Sequence, residues 1–183
     1  WVGDNKLKDP SLSVTVRAAG SCMSGGSLNE SIIADITKHM NGMGDIENNS
    51  IVTQTGVFYR DFEVKTLEKS LILPCFTASK NLNAMGGMIG NNSGGEKTLR
   101  YGKMENFVLE SKVIFADGVE RVVRPLNKLE LDAKIARGGF EGKLYESLLN
   151  LIENNKQLIG QAKPHVFKNS GAYYLWNLCN SNI

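Results

Sequence analysis

The sequence predicts an α+β fold, in which strands come first and helices dominate the later part of the chain. Polar and β-branched residues alternate over 13–17, Asp117-Gly118 separates two apolar runs, and apolar residues recur at helical spacing over 140–152. These patterns are typical of a strand, a hairpin and a helix respectively. With 183 residues, 42% of them hydrophobic and 22% charged, the chain has the composition of a single globular domain.

The first third of the chain is predicted to be rich in strands. Residues 13–17 form a strand that runs into a loop of small residues, and apolar runs at 31–36 and 50–55 indicate two more strands. The interval 41–49, rich in Gly and Asn, is expected to supply the turns between them. From 57 to 71 the apolar residues recur at mostly helical spacing, which predicts a helix packed on the surface of the domain.

The later elements follow from turn signals and periodicity. Residues 81–95 concentrate glycine and asparagine, and such a permissive backbone requires a functional explanation. Two antiparallel strands are predicted at 107–116 and 119–123, on either side of the Asp-Gly dipeptide. The helix over 140–152 is expected to continue, or to restart, after the Asn pair that follows it.

Composition and charge exclude several classes of protein. Basic and acidic residues nearly cancel, 21 against 19, without a dense run of Lys and Arg, so the sequence lacks the basic stripe of a nucleic-acid binder. No apolar stretch reaches the roughly 20 residues that a membrane-spanning helix needs. Cys22, Cys75 and Cys179 are odd in number and far apart, so we expect reduced thiols and neither disulfides nor a paired-cysteine metal site.

The first loop, residues 17–26, is an arginine followed by mostly small residues, R-A-A-G-S-C-M-S-G-G. Small side chains let successive backbone N–H groups converge on an anion, and the hydroxyls of Ser21 and Ser24 can add donors. The loop has neither the G-x-G-x-x-G order of a dinucleotide Rossmann turn nor the G-K-[ST] ending of a P-loop. Its composition is compatible with a phosphate cradle and also with a tight surface loop.

The glycine block, residues 84–95, reads A-M-G-G-M-I-G-N-N-S-G-G and leads into L-R-Y-G. Glycines at this density cost conformational entropy unless close backbone approach or unusual backbone angles require them. Two such segments in one domain suggest an extended ligand that both contact. Asn91 and Asn92 are candidates for hydrogen bonds to the polar edge of a ring, or else are turn formers.

Three blocks in a fixed order carry a resemblance to a known family. R-A-A-G-S-C-M-S-G-G-S-L is similar to R-G-A-G-T-x-x-S-G-G, and S-I-I-A-D-I-T-K-H-M-N resembles the strand that follows that pattern. M-G-G-M-I-G-N-N-S-G-G-E-K-T-L-R-Y-G and V-I-F-A-D-G resemble G-G-x-I-x-x-N-x-G-G-x-x-x-x-x-Y-G and its next strand. These are the signatures of PCMH-type FAD-binding flavoproteins, the p-cresol methylhydroxylase and vanillyl-alcohol oxidase superfamily. The branch they most resemble holds the FAD-linked dehydrogenases of D-lactate, glycolate and other 2-hydroxy acids.

The resemblance implies a set of FAD contacts and a non-covalent flavin. In this family the two segments hold the FAD pyrophosphate and flank the isoalloxazine ring through backbone groups. The implied contacts are Ala18, Ala19, Gly20, Ser21, Ser24, Gly25, Pro74, Gly86, Gly87, Ile89, Asn91, Asn92 and Gly95. Branches that attach FAD covalently commonly place a histidine in the first loop, and this loop has none. His39 and His165 lie outside both signatures, and surface or core roles are expected for them.

The resemblance also implies a partial domain. Residues 1–125 correspond to the central part of the FAD-binding domain with a truncated beginning, and 126–183 to a mostly helical continuation that ends before the closing segment. The base, the carboxylate-binding arginine and any metal ligands of the hydroxy-acid branch belong to later segments, so no catalytic residue is assigned and no metal is expected. Core positions are expected for the aromatic residues Tyr173, Tyr174 and Trp176, with contact to flavin or substrate as the alternative.

The expected function is the FAD-binding part of a flavin-dependent oxidoreductase, a dehydrogenase of D-lactate, glycolate or another 2-hydroxy acid. The substrate would be held by a C-terminal domain, and electrons would pass to an iron–sulfur protein, a quinone or an electron-transfer flavoprotein. A cytoplasmic location is expected, with peripheral attachment to the inner membrane left open. Two alternatives stay open: a flavoenzyme like UDP-N-acetylenolpyruvoylglucosamine reductase, and a fragment that keeps the fold without FAD.

Overall fold

The computed structural model describes residues 1–162, 166, 173 and 174. They fall into two compact units, the first made of residues 1–108 with 173 and 174, and the second of residues 109–162 with 166. The first unit therefore takes residues from both sides of the second unit in the sequence. No helix in these described residues has the length and the apolar composition needed to cross a membrane.

The helices and strands of the first unit are short. In chain order they are α1 (Val2–Lys6), β1 (Val14–Arg17), β2 (Ile32–Asp35), β3 (Met43–Glu47), β4 (Ser50–Thr53), α2 (Tyr59–Leu67), α3 (Met85–Gly90), α4 (Thr98–Tyr101) and a 3-10 helix over Met104–Phe107. β1 and β2 pair in parallel, with Arg17 opposite Asp35, and β3 and β4 pair in antiparallel orientation. β1, β2, β4 and α2 confirm the elements predicted from the sequence.

The hairpin of β3 and β4 corrects one prediction. The sequence predicts turns over 41–49, but Met43–Glu47 within this interval is paired with β4. The register shifts between Met43 and Ile46, and this irregularity accommodates the Gly and Asp residues that a regular strand disfavours. The turn is confined to Asn48 and Asn49, whose φ angles of 48° and 59° suit a tight hairpin.

The core of the first unit forms around α2 and α3. Its buried members are Val57, Tyr59, Phe62, Cys75, Phe76, Met85, Met88 and Met104. Tyr59 is fully buried, its hydroxyl donates to the Leu73 carbonyl at 2.9 Å, and its burial raises the pKa of the phenol. Cys75 is also fully buried, and burial raises the pKa of its thiol to about 11. This cysteine is therefore an unreactive part of the core.

The glycine block is only partly a loop. Met85–Gly90 forms the short helix α3, because Met85 and Met88 turn into the core and are 3% and 1% exposed. The helix begins directly after Ala84, which forms an antiparallel bridge with Phe58 at the start of α2. Gly86, between these core residues, therefore serves close packing, since a Cβ there would lie 2.9 Å from the Thr55 carbonyl oxygen.

The second unit is a hairpin followed by helices. Its elements are β5 (Ser111–Ile114), β6 (Glu120–Val123), α5 (Lys128–Ala136), α6 (Gly139–Asn154) and α7 (Lys156–Ala162). β5 and β6 confirm the predicted hairpin, α6 confirms the predicted helix, and α7 shows that the helix restarts. α5 is missing from the sequence prediction. Its signal is the capping box of Asn127 and Glu130, in which each side chain binds the backbone N–H of the other.

A charged network fastens the hairpin of the second unit to α6. Arg121 pairs with Asp117 at 2.6 Å and lies 3.7 Å from Glu141. The guanidinium of Arg121 also lies 5.7 Å from the centroids of both the Phe115 and the Phe140 rings. Hydrogen bonds from Arg121 lower the pKa of the Asp117 carboxyl below its ordinary value.

The Asp117 pair should make the stability of the second unit depend on pH. Because the Asp117 pKa is lower in the folded than in the unfolded chain, the stabilisation is complete above the ordinary value of 3.8 and is lost as the pH falls through the lowered value. We expect Asp117→Asn to lower the urea midpoint of unfolding at about pH 7 and to have a smaller effect at about pH 2.5. Circular dichroism measures both midpoints.

The control is Asp132→Asn, which breaks the exposed pair of Lys128 with Asp132 and should change little at either pH. An effect of Asp117→Asn that stayed constant over this pH range would contradict the role given to its carboxylate.

Candidate cofactor-binding site

The first loop leaves β1 at Arg17 and turns through two glycines with a left-handed backbone. Gly20 and Gly25 have φ angles of 69° and 73°, a region that other residues rarely adopt. A Cβ on Gly20 would lie 2.5 Å from Nη2 of Arg17, so the guanidinium covers the face of the loop where a side chain would otherwise stand. Ala18 and Ala19 are half-buried beside it.

The backbone donors of this loop are unused within the described part of the chain. There, the N–H groups of Ala18, Ala19, Gly20 and Ser21 donate to no other protein group. Backbone N–H groups require a hydrogen-bond partner, which at this position comes from solvent or from a ligand. Successive donors on a left-handed turn form a concave site that favours an anion.

Arg17 is the residue that the sequence interpretation omitted from the contact set. Among the described residues it forms no ion pair, although Asp35 lies opposite it in β2. Hydrogen bonds from Thr37 and the charge of Arg17 lower the pKa of the Asp35 carboxyl, and the same guanidinium raises the positive potential around the N–H groups of the loop. The signal in the sequence was its position as the first residue of R-A-A-G-S.

The glycine block packs against the first loop. The N–H of Gly86 donates to the Thr55 carbonyl at 2.7 Å, and a Cβ on Gly86 would lie 2.9 Å from the same oxygen. A Cβ on Gly87 would lie 3.6 Å from the Cβ of Ala18, and Gly87 is exposed. The fold therefore brings the two predicted FAD-contacting segments together at Ala18 and Gly87.

The segment around Pro74 is anchored to the same block. Pro74 is buried and precedes Cys75 of the core. A Cβ on Gly95 would collide with the carbonyl oxygen of Phe76, so the backbone of the block lies directly against this segment. Ile89 is half-buried and packs against the core. For Pro74, Ile89 and Gly95, contact with FAD stays a prediction.

Asn92 is engaged inside the protein. It is 3% exposed and has a φ of 49°. Its Nδ2 donates to Oε2 of Glu105 at 2.7 Å, and its Oδ1 accepts the backbone N–H of Glu105 at 2.9 Å. The side chain that was a candidate for a ring edge thus joins the block to the 3-10 helix. Asn91 is half-buried, Ser24 is exposed, and their contacts with FAD stay predictions.

Two residues from late in the chain also contact the glycine block. The N–H of Tyr174 donates to the Gly90 carbonyl at 2.9 Å, and the Tyr173 ring comes within 3.4 Å of a Cβ position on Gly90. The ammonium group of Lys103 lies 4.2 Å from the centroid of the Tyr174 ring. Tyr173 is 62% exposed, so the core position expected for it is wrong.

The described site contains no histidine. His39 is exposed, while His165 and Trp176 lie outside the described residues. Within the ranges that the structure describes, His, Cys, Asp and Glu side chains nowhere form a group of three or more that could hold a metal ion.

Sequence comparison places the chain among flavoproteins. It matches the family described as FAD binding domain over residues 6–124. It is 25% identical over 167 residues to D-2-hydroxyglutarate dehydrogenase of Pseudomonas putida, covering 90% of this chain and 17% of that protein. It is 31% identical over 160 residues to glycolate oxidase subunit GlcD of Bacillus subtilis, covering 80% and 34%. It is 30% identical over 112 residues to D-lactate dehydrogenase of Archaeoglobus fulgidus, covering 60% and 25%.

Solved structures show the same fold. 6-Hydroxy-D-nicotine oxidase from Arthrobacter nicotinovorans has a TM-score of 0.57 at 21% identity, over 71% of this chain and 29% of that one. Glucooligosaccharide oxidase from Acremonium strictum has a TM-score of 0.57 at 17% identity, over 70% and 26%. At these identities the likeness shows the fold alone, and it confirms the predicted α+β class.

The comparisons confirm the resemblance seen in the sequence. The matched range includes both the first loop and the glycine block. The chain spans between 17% and 34% of the length of the curated relatives named above. From its motifs, its fold and this match, the chain belongs to the family of PCMH-type FAD-binding domains of FAD-linked oxidoreductases.

Proposed function

We propose that this chain binds FAD non-covalently and serves a dehydrogenase of a 2-hydroxy acid such as D-lactate, glycolate or D-2-hydroxyglutarate. One observation carries the proposal. The first loop, with its unused backbone donors at 18–21, lies against the glycine block at Gly87. Both segments that the family uses for FAD are therefore adjacent in the structure.

The geometry of the first loop fits a pyrophosphate. Four successive N–H groups from Ala18 to Ser21 have no protein partner in the described residues, and Arg17 adds a positive charge next to Gly20. Hydrogen bonds from N–H groups to an ionised phosphate are stronger than those between neutral groups. The proposed contacts in this loop are Ala18, Ala19, Gly20, Ser21, Ser24 and Gly25.

The glycine block supplies the second side of the proposed site. Gly87 is exposed and has no side chain, so a planar ligand can approach its backbone closely. Packing against Thr55, Phe76 and the core holds this backbone in place before a ligand arrives. The proposed contacts here are Pro74, Gly86, Gly87, Ile89, Asn91, Asn92 and Gly95, with Asn92 acting through its backbone because Glu105 holds its side chain.

A non-covalent flavin is supported by the residues of the first loop. Histidine is absent from residues 17–26, and this chain has Ser21 where the family usually has threonine. The glucooligosaccharide oxidase of the same fold carries a 6-S-cysteinyl, 8α-N1-histidyl FAD, so the fold itself is compatible with covalent attachment. In the first loop of this chain, the nucleophile available for such a bond is the Cys22 thiol.

The substrate class is proposed from the relatives. The matched proteins are named for D-2-hydroxyglutarate, D-lactate and glycolate. When bound, FAD accepts the hydride that leaves the hydroxyl-bearing carbon of such a substrate. The described residues of this chain bind and orient the cofactor, and the acid–base group and the carboxylate site belong to the remainder of the proposed enzyme. We propose an iron–sulfur protein, a quinone or an electron-transfer flavoprotein as the electron acceptor.

Replacing Gly20 with aspartate should abolish this binding. In Gly20→Asp the new Cβ displaces the Arg17 guanidinium, and the carboxylate stands beside the phosphates, so both sterics and charge oppose FAD. We expect FAD affinity, measured by the change in flavin fluorescence on titration, to fall at least about 100-fold.

Gly118→Asp is the matched control for this variant. Gly118 has a φ of 75° and no atom within 4 Å of its Cβ position, so the substitution causes the same backbone strain away from the loop. Gly118→Asp should keep the affinity of the unmodified chain. A folded Gly20→Asp chain with unchanged affinity would remove the first loop from the site.

The flavin should be released by acid. Precipitation of the FAD-loaded chain with acid should leave flavin absorbance in the supernatant, because no covalent bond links it to the polypeptide. A yellow precipitate would contradict this prediction. In that event Cys22→Ser would show whether the bond is to the thiol in the first loop.

A further inference from the structure

We propose that Asn83 is a positioning residue that fixes the first loop for binding of the FAD pyrophosphate. The proposal rests on the proposed function for its cofactor. Asn83 precedes the glycine block, belongs to none of the quoted family motifs and is 6% exposed. Its side chain joins two parts of the site that are distant in the sequence.

The link to the first loop is a hydrogen bond between side chains. The hydroxyl of Ser21 donates to Oδ1 of Asn83 at 3.1 Å. Ala18 also lies near Gly87, since a Cβ on Gly87 would lie 3.6 Å from the Ala18 Cβ, but this proximity sets no direction. The hydrogen bond also fixes a direction, because a hydrogen bond weakens steeply when the donor turns away from the acceptor.

A ring of hydrogen bonds holds the Asn83 carboxamide in the position from which it binds Ser21. Nδ2 of Asn83 donates to Oγ1 of Thr77, the hydroxyls of Thr77 and Ser79 lie 3.0 Å apart, and Ser79 Oγ donates to Oδ1 of Asn83 at 3.0 Å. If Thr77 donates to Ser79, every donor in the ring has an acceptor. Ser21 and Ser79 share Oδ1, and Thr77 binds Nδ2, so both ends of the carboxamide have side-chain partners.

The backbone of Asn83 is itself fixed. Its carbonyl accepts the N–H of Tyr59 at 2.9 Å, and its N–H donates to the Ser79 carbonyl at 3.2 Å. Tyr59 is fully buried in the core, so its hydrogen bond fixes Asn83 relative to the core. Asn83 in turn binds Ser21 of the first loop. The chain of contacts runs from Tyr59 through Asn83 to Ser21.

This arrangement decides what Ser21 can offer to a phosphate. A serine hydroxyl has one proton, and here Asn83 receives it. Ser21 therefore presents its backbone N–H, which like those of Ala18, Ala19 and Gly20 has no protein partner in the described residues. The loop recognises the anion by backbone donors, and the hydroxyl serves to hold those donors in place.

The first test uses the Cys22 thiol, which directly follows Ser21, and does not require FAD. The labelling rate of Cys22 by a small maleimide is measured in the unmodified chain, Ser21→Ala, Asn83→Ala and the double variant, with peptide mapping to separate the cysteines. Cys75, fully buried in the core, reports global unfolding in the same samples. Ser21 is exposed, so Ser21→Ala should fold even if Asn83→Ala does not.

The matched control is a second Ser–Asn pair at the opposite end of β1 and β2. Nδ2 of Asn29 donates to Oγ of Ser13 at 3.0 Å, away from residues 18–22. Asn29→Ala removes a Ser–Asn side-chain bond at the other end of β1, together with the Asn29 bonds to the Ile32 carbonyl and the Ser31 N–H. It should leave the Cys22 labelling rate within about twofold of the unmodified chain.

Loss of the Ser21 bond to Asn83 should accelerate Cys22 labelling about three- to tenfold, the range expected for one hydrogen bond, with Cys75 unchanged. The double variant should be no faster than the faster single variant, because both remove the same bond. Equal rates at Cys22 in all chains would overturn the proposal. Effects of the two substitutions that multiply in the double variant would also overturn it. So would a rise in the Cys75 labelling rate of Ser21→Ala that parallels the rise at Cys22.

The second test measures affinity for FAD and for riboflavin, which lacks the pyrophosphate. Ser21→Ala and Asn83→Ala should each weaken FAD binding about three- to tenfold, non-additively, and leave riboflavin binding unchanged. An equal loss for both ligands would indicate a general structural role and overturn the positioning role. If the unmodified chain binds no FAD, the proposed function fails, while the labelling rates still decide whether Asn83 fixes the loop. If the unmodified chain binds FAD and Asn83→Ala binds it equally well, the positioning role of Asn83 is excluded and the proposed function is not.

Discussion

Close approach of one backbone to another is the constraint on which the first unit depends. The glycine block lies against the carbonyl groups of Thr55 and Phe76, at positions where even a methyl group on Gly86 or Gly95 would meet a backbone oxygen. A backbone oxygen cannot move aside as the end of a flexible side chain can. The site exists because these contacts place α3, and with it Gly87, beside the first loop.

Polar side chains and backbone groups have different roles in this unit. Ser21 binds Asn83 and Asn92 binds Glu105, so these side chains hold the protein together. The groups left for a ligand are backbone N–H donors and the charge of Arg17. Such donors recognise phosphate charge and shape, and they carry little information about a substrate. One cofactor-binding framework can therefore serve enzymes with different substrates.

The sequence predicted those features that depend on neighbouring residues. Asp117-Gly118 marked the hairpin because a tight turn requires its chemistry locally, and spaced apolar residues marked α6. The sequence does not predict β3, because Gly44 and Asp45 interrupt its strand pattern. Pairing with β4 stabilises this strand although its residues have low strand propensity. For α5 a capping signal is present, but its large apolar residues do not share one helical face, since Leu131 is buried and Leu129 is exposed.

The same distinction, between signals from neighbouring residues and contacts formed only on folding, applies to the predicted site residues. Motif positions in the first loop and the glycine block could be predicted because glycine and small residues are visible in the sequence itself, and their contacts with FAD stay predictions. The partner of Asn92 and the role of Asn83 were not found, because both depend on residues that come together only in the folded chain. Arg17 ends a strand pattern in the sequence, which gives no sign of its packing over Gly20 because that is a tertiary contact.

The first unit is discontinuous in sequence, since Tyr173 and Tyr174 join it after the whole second unit has intervened. On the ribosome, α3 emerges long before the residue whose N–H will bind the Gly90 carbonyl. At synthesis rates of about 5–20 residues per second, the glycine block must wait several seconds for that contact. During this interval the Gly90 carbonyl of the nascent chain lacks this partner, and the second unit has time to form before the first is closed.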